Sequence, residues 1–409
     1  MSCAPFAIPA DPTADPAVLD RLRDAAAGIG PLLLPYSRDY ADAAESGGAP
    51  ADVMPDPVQI DRSVLPDGGG IAVGTSGSTG VAKRAVLTPT ALAASADATH
   101  TRLGGPGRWL LALPAHHIAG LQVLLRSLRA GYVPAVLPPG SFTAHAFATG
   151  VRSMSGERRY SSLVPTQLAR VLADPDAVDA ARTLDGILVG GSSVPPVMLE
   201  RAREAGVPLV LTYGMSETAG GCVYDGRPLD GVHLHLEAGR IHLAGDVVAA
   251  GYLTRRESSP FVDYSGMRWF QTDDIGHLDE AQNLVVDGRA DDVLISGGLK
   301  VWPSQVERAL AEFVPAGCDL VVVGVPDPEW GQRVAVAIEC PEVCTAGLVT
   351  TLLDRAREVL PPQARPRLAR VLRSLPRKGP GKPDRPGVAA MLMESGWDDD
   401  RPDTTSKKG

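Results

Sequence analysis

Between Ile71 and Thr88 the chain reads IAVGTSGSTGVAKRAVLT. An apolar run, Ile71 to Val73, precedes a loop of alternating glycines and hydroxyl residues. A second strand-like run, Ala82 to Thr88, follows it, and Thr88-Pro89 supplies a cap and a first helical residue. The segment therefore predicts strand, loop, strand, helix. A flexible linker is rarely flanked by strands on both sides, whereas glycine backbone N–H groups and Ser/Thr hydroxyls can converge on an anion, with Lys83 adding charge. The nucleoside-triphosphate P-loop pattern requires lysine directly after its last glycine and a helix next. Here Val81 follows Gly80, so that pattern fails. On these residues alone, phosphate loop and flexible linker both remain open, and the loop needs corroboration.

The rest of the chain sets bounds. At 409 residues it is too long for one ordinary core, so two or three domains are expected. A net charge of −9 opposes broad binding to nucleic acid or anionic membranes. The N-terminal MSCAPFAIPADPTADP lacks the basic and apolar regions of a signal peptide, and no apolar run reaches the length of a membrane span. The five cysteines, Cys3, Cys222, Cys318, Cys340 and Cys344, show no metal or redox spacing and read as reduced thiols of a cytoplasmic protein. The polar tail WDDDRPDTTSKKG carries no pattern and is expected to be disordered.

Further motifs follow in order: LPAHHIAGL from Leu113, LVGGSSVPP from Leu188, TYGMSET from Thr212, GYL from Gly251, WFQTDDIG from Trp269, VDGRADDVLISGGLKVWPSQVE from Val286 and LPRKGPGK from Leu375. Together with Thr75 to Lys83 they resemble the adenylate-forming superfamily of acyl- and aryl-CoA synthetases, adenylation domains and luciferases. The resemblance covers nearly the whole chain from Gly74 to Lys382. It implies an α/β fold, with a large N-terminal domain over residues 1–290 and a small, hinged α+β domain over 291–390, followed by a tail over 391–409. A swinging small domain suits two half-reactions that need the same space in turn.

The residues suit the roles that the resemblance implies. Thr75, Ser76, Gly77, Ser78, Thr79, Gly80 and Lys83 would hold the ATP phosphates. TYGMSET follows an apolar strand, where ligands gather in open α/β sheets. There Tyr213 offers a face to adenine, Ser216 a hydroxyl to phosphate, and Glu217 a hard oxygen to Mg²⁺. A capped turn with a surface glutamate is the plainer reading of the same letters. Gly190, Gly191 and Ser192 would wall the adenine and acyl pocket, joined by Gly214 and Met215. Asp274 would accept both ribose hydroxyls, with Arg289 beside it. Asp291 matches the hinge residue, and Lys382 the lysine that stabilises charge on the α-phosphate. His117 would line the acyl pocket near the reacting carboxylate. Asp273, Ala82 and Pro383 stand where the family usually has glycine, proline and a branched aliphatic.

The implied reaction is acid plus Mg-ATP to acyl-AMP, then transfer to coenzyme A. The short chain, LPAHHIAGL and SLVPTQL resemble the o-succinylbenzoate–CoA ligases of menaquinone biosynthesis. A dicarboxylate needs a cationic pocket end. Arg126 and Arg129 are candidates, although a solvated helix face is the commoner place for both. Other readings stay open: another aryl or medium-chain acyl-CoA synthetase, a carrier-protein ligase, or a non-catalytic nucleotide-binding regulator. The family's amino-acid members carry an aspartate at the His117 station, and this chain does not. Small molecules are the expected partners, and a homo-oligomer is left open. A last alternative places His233, His235 and Glu237 on one strand face, spaced as metal ligands could be.

Overall fold

The computed structural model describes residues 2–38, 55–75, 83–315, 318–340, 347–378 and 382–394, with backbone alone at Lys378 and Lys382. Ser76, Gly77, Ser78, Thr79, Gly80 and Ala82 of the glycine-rich loop, and Cys344, lie outside the described residues. The chain divides into two compact units, one formed by Met1–Asp291 and the other by Asp292–Lys378 with Lys382 onward.

The larger unit is built on a seven-stranded sheet. From edge to edge its strands are Arg227–Pro228, Gly220–Tyr224, Leu209–Met215, Gly186–Val189, Arg159–Leu163, Arg108–Leu111 and Ala135–Val136. From Leu209–Met215 to Ala135–Val136 the strands pair in parallel, and the other two return antiparallel. A parallel sheet is covered on both faces, which explains the apolar reading of GILV, every residue of which is buried. A second sheet orders Cys3–Ile8, Leu32–Ser37, Ile71–Gly74, Arg84–Leu87 and Gly251–Tyr252. The helix Pro89–Arg102 begins as the sequence predicts, with the Thr88 hydroxyl accepting from Ala91 N and Pro89 in the first position. A third, antiparallel sheet holds His233–Glu237, Arg240–Ala244, Met267–Leu278 and Phe261–Tyr264, with Leu284–Arg289 paired to the long strand.

The helix Ile118–Arg129 is buried almost continuously from Gly120 to Ser127. It packs between layers and has no solvated face in its middle. Arg126, expected on such a face, is therefore only 3% exposed, and its guanidinium lies 5.2 Å from the Trp109 ring centroid. Burial pulls its pKa below the usual arginine range. Arg129, one turn on, does reach solvent and pairs with Asp97 at 2.5 Å.

In the smaller unit a long hairpin, Asp319–Asp327 with Gly331–Glu339, carries Leu368–Leu372 in parallel on its second strand. The hairpin runs beyond the apolar stretches Leu320–Val325 and Val334–Ile338. Asp327 explains the extension: its Oδ1 accepts from Glu329 N and Trp330 N at 2.9 Å each and closes the turn. Alternation then serves two cores. Val322, Val334, Val336 and Ile338 face one, while Val321, Val323, Val325, Ala335 and Ala337 face the other. Helices Pro303–Leu310, Leu348–Val359 and Arg385–Glu394 cover these faces, the last running past residue 390 with Leu392 buried.

One expectation is corrected here. Cys318 and Cys340 are joined in a disulfide, with Cα atoms 4.6 Å apart. Their sequence separation of 22 gave no spacing signal, but hairpin register places them one step beyond the Asp319–Glu339 pair. Cys3 and Cys222 are free thiols.

Gly120 fixes how the Ile118–Arg129 helix docks on the turn before it. A Cβ there would stand 2.3 Å from the Pro114 carbonyl oxygen. Gly120→Ala is expected to cost about 2 kcal/mol of overpacking, read as a lower urea midpoint for the larger unit.

Candidate active site

The carboxyl ends of the parallel strands place the predicted residues. Leu209–Met215 delivers Tyr213, Gly214 and Met215, and a single turn, Ser216–Thr218, then carries Ser216 and Glu217 inward. Ala219 leaves that turn in the left-handed region at φ 51°. Its carbonyl accepts from Ser95 Oγ at 2.9 Å and from Gln122 Nε2 at 2.7 Å. Two buried donors from two helices thus hold the turn that aims Glu217.

Glu217 is 7% exposed, and its Oε1 accepts the Tyr252 hydroxyl at 2.7 Å. Burial raises its pKa above the ordinary carboxylate range, while the Tyr252 hydrogen bond and the charges of Lys83 and Arg289 oppose that rise. The Lys83 ammonium lies 6.0 Å from the Tyr252 ring centroid. Ser216 Oγ donates to Gly74 O at 3.1 Å, and Thr75 N donates to Lys83 O at 2.7 Å. The two ends of the glycine-rich loop are therefore pinned together beside Glu217. Tyr252 comes from GYL, a motif whose letters carry no readable role. Its hydroxyl could have been suspected only as a partner for a buried acid.

A second group stands on the third sheet. Asp274 and Arg289 are cross-strand partners, and Asp274 Oδ2 accepts the Tyr213 hydroxyl at 2.7 Å. Arg289 Nη1 is 4.0 Å from Asp274 Oδ1, and its Nε and Nη2 make a bidentate pair with Asp291 at 2.7 Å each. These carboxylates raise the arginine pKa further. Burial, with Asp274 adding to it, pushes the Tyr213 phenol well up, so it stays a donor at neutral pH. Asp273, the departure from family pattern, is paired with Arg240 at 2.8 Å and lies 3.5 Å from Arg289. Its charge is balanced within the sheet.

The glycines have packing reasons of their own. A Cβ on Gly190 would meet Thr212 Oγ1 at 2.4 Å, and one on Gly214 would meet Gly220 O at 2.1 Å. Gly191 differs, with φ 87° and a Cβ built there meeting only Val164 Cγ1, at an ordinary 3.7 Å, and it is exposed beside Ser192. His117 caps the start of Ile118–Arg129 beside His116, their rings 4.2 Å apart. Burial lowers both pKa values, His116 to about 4, so both are neutral at pH 7. Lys382 lies in the smaller unit, its backbone paired with Lys378.

His233, His235 and Glu237 do line one exposed face, as alternation predicted. Among the described residues, however, no group of three or more His, Cys, Asp or Glu side chains could hold a metal ion. Glu217 fits a different arrangement: one buried carboxylate beside a cationic loop suits Mg²⁺ shared with phosphate oxygens.

Comparison with known proteins identifies the family. The AMP-binding enzyme family matches residues 73–253, and the AMP-binding enzyme C-terminal domain matches 305–382. A probable 2-succinylbenzoate–CoA ligase of Mycobacterium tuberculosis is 45% identical over 331 residues, which span 80% of this chain and 84% of that one. The chain is an AMP-binding enzyme. Its Escherichia coli relative, a 2-succinylbenzoate–CoA ligase, is 32% identical over 275 residues, or 65% of this chain and 57% of that protein. Among solved structures, o-succinylbenzoate CoA synthetase of Bacillus subtilis in complex with the acyl-adenylate OSB-AMP gives a TM-score of 0.69 at 26% identity, covering 90% of this chain and 80% of that one. The same synthetase with ATP and magnesium gives 0.64 at 28% identity, over 77% and 69%.

For this AMP-binding enzyme the Tyr252–Glu217 contact yields a pH prediction. The hydrogen bond favours the charged carboxylate, so Tyr252→Phe raises the Glu217 pKa further. The acid limb of Mg-ATP binding, measured calorimetrically from pH 5 to 8, should move to higher pH.

Proposed function

We propose that this protein is an AMP-forming acid–CoA ligase that converts o-succinylbenzoate to o-succinylbenzoyl-CoA in menaquinone biosynthesis. The observation that carries the reading is the convergence of Lys83, Glu217 and Tyr252 with Tyr213, Asp274 and Arg289, in a chain so similar to a protein of that name. ATP and coenzyme A are cytoplasmic metabolites, and the reaction belongs there.

Tyr213 presents its face to adenine while its hydroxyl and Arg289 hold Asp274 ready for the ribose diol. Thr75, Ser216, Lys83 and the loop between Thr75 and Lys83 bind the phosphates. Glu217 would hold Mg²⁺, which would neutralise phosphate charge. Neutral His117 lies at the acyl pocket and orients the carboxylate without repelling or over-stabilising it. Gly191, which has no side chain, forms the flat wall, and Gly214 and Met215 close the floor. The carboxylate attacks the α-phosphorus and pyrophosphate leaves. Lys382 stabilises the charge that builds on the α-phosphate. The CoA thiolate then attacks the acyl carbon, and AMP leaves. Residues 1–290 serve as the nucleotide and acyl domain. Residues 291–390 are the moving domain that carries Lys382, and Asp291 is the hinge.

Pyrophosphate release over a panel of acids tests the assignment. o-Succinylbenzoate with CoA should turn over fastest, and Lys382→Ala should lose about a hundredfold or more in adenylation. It should still convert synthetic o-succinylbenzoyl-AMP to the thioester. Faster turnover of benzoates or fatty acids would sink the substrate assignment.

A further inference from the structure

Asp319 and Glu339 form the outermost rung of the long hairpin in the smaller unit. Two carboxylates abreast repel, and here a guanidinium lies between them. Arg377 Nη2 donates to Asp319 Oδ2 at 2.8 Å and also to Glu339 Oε2. Such charge-assisted bonds to two half-buried acids are strong and directional. Arg377 opens a two-residue strand whose partner is Lys382–Pro383, with Arg377 opposite Pro383 and Lys378 opposite Lys382. Just past the lysine, Asp384 N donates to Pro376 O at 2.8 Å, and Arg385 is held by Glu307 at 2.5 and 3.0 Å. Both ends of the segment bearing Lys382 are thus fastened by arginines to the smaller unit's own acids.

The Asp319–Glu339 rung depends in turn on the strands staying paired at their open end, where hairpins fray first. The Cys318–Cys340 bridge sits one residue beyond that rung. We propose that Asp319, Glu339 and Arg377 form a clamp that positions Lys382 for adenylation, and that the Cys318–Cys340 bridge keeps the clamp closed, so that reducing the bridge slows adenylation alone.

The opening step balances as thiol–disulfide exchange with a dithiol. One dithiol thiolate attacks the sulfur of Cys318, which is half-buried, whereas Cys340 is 3% exposed. The Cys340 thiolate leaves and takes a proton, and the second dithiol thiol displaces Cys318 as a thiol. The protein gains two electrons and two protons, and the dithiol becomes a cyclic disulfide.

The inference rests on the adenylation chemistry proposed above, and the test separates the two half-reactions in the full-length enzyme. Acid-dependent ATP–pyrophosphate exchange reports adenylation. Thioester formation from synthetic acyl-AMP reports the CoA step. Arg377→Ala should lower exchange about tenfold or more, since small misplacements of a reacting group cost that much, and leave the CoA step intact. Arg377→Lys should recover part of the loss. Amide hydrogen exchange at Arg377, Lys378 and Lys382 should quicken in Arg377→Ala. A dithiol should slow wild-type exchange once alkylation and mass spectrometry show the bridge open. The double variant Cys318→Ser/Cys340→Ser should start at that slower rate and ignore the dithiol. Equal losses in both half-reactions, or none, would overturn the clamp. An open bridge with unchanged exchange would overturn the redox link. If exchange needs an acid other than o-succinylbenzoate, the substrate reading fails, and the same comparison with that acid still decides the clamp.

Discussion

The site is organised around one buried acid. Glu217, the proposed cation ligand, lies out of water, and a carboxylate in that position is stable only when its surroundings supply hydrogen bonds and positive charge. The fold gathers these from separate places. Tyr252 comes from the edge strand of the second sheet, Lys83 from the exit of the glycine-rich loop, and Arg289 from the third sheet. Ser95 and Gln122, from two helices, fix the turn that bears it. Three sheets therefore meet at one side chain. Their packing is the condition for its ionisation.

The group around Asp274 shows the same economy in ion pairs. Arg289 is shared among Asp273, Asp274 and Asp291, and Arg240 takes part of the load from Asp273. A guanidinium is suited to this because its donors lie in a plane and do not lose their charge. The extra acid at position 273 therefore costs little, since a second arginine was already within reach across the strand.

Much of this was legible in the letters. The apolar run Ile71 to Val73 located its strand, and Thr88-Pro89 marked its helix start. The glycines and acids of the site announced themselves because each needs a backbone freedom or a charge that ordinary packing does not. What escaped was set by tertiary register. Tyr252 looks like any strand tyrosine until a buried acid is placed beside it. Cys318 and Cys340 are unremarkable letters until a hairpin extended by the Asp327 turn brings them face to face. Arg126 was expected in solvent because residue type favours it. A helix enclosed on all sides overrode that preference.

The pairing of Gly251–Tyr252 with Arg84–Leu87 has a thermodynamic consequence. The strand leaving the glycine-rich loop and the residue bonded to Glu217 are neighbours on one sheet edge, so neither can shift without the other. With the roles proposed above, phosphate and its counter-ion do not load independently. Each pre-organises the place of the other, so each should raise the other's affinity by the same factor.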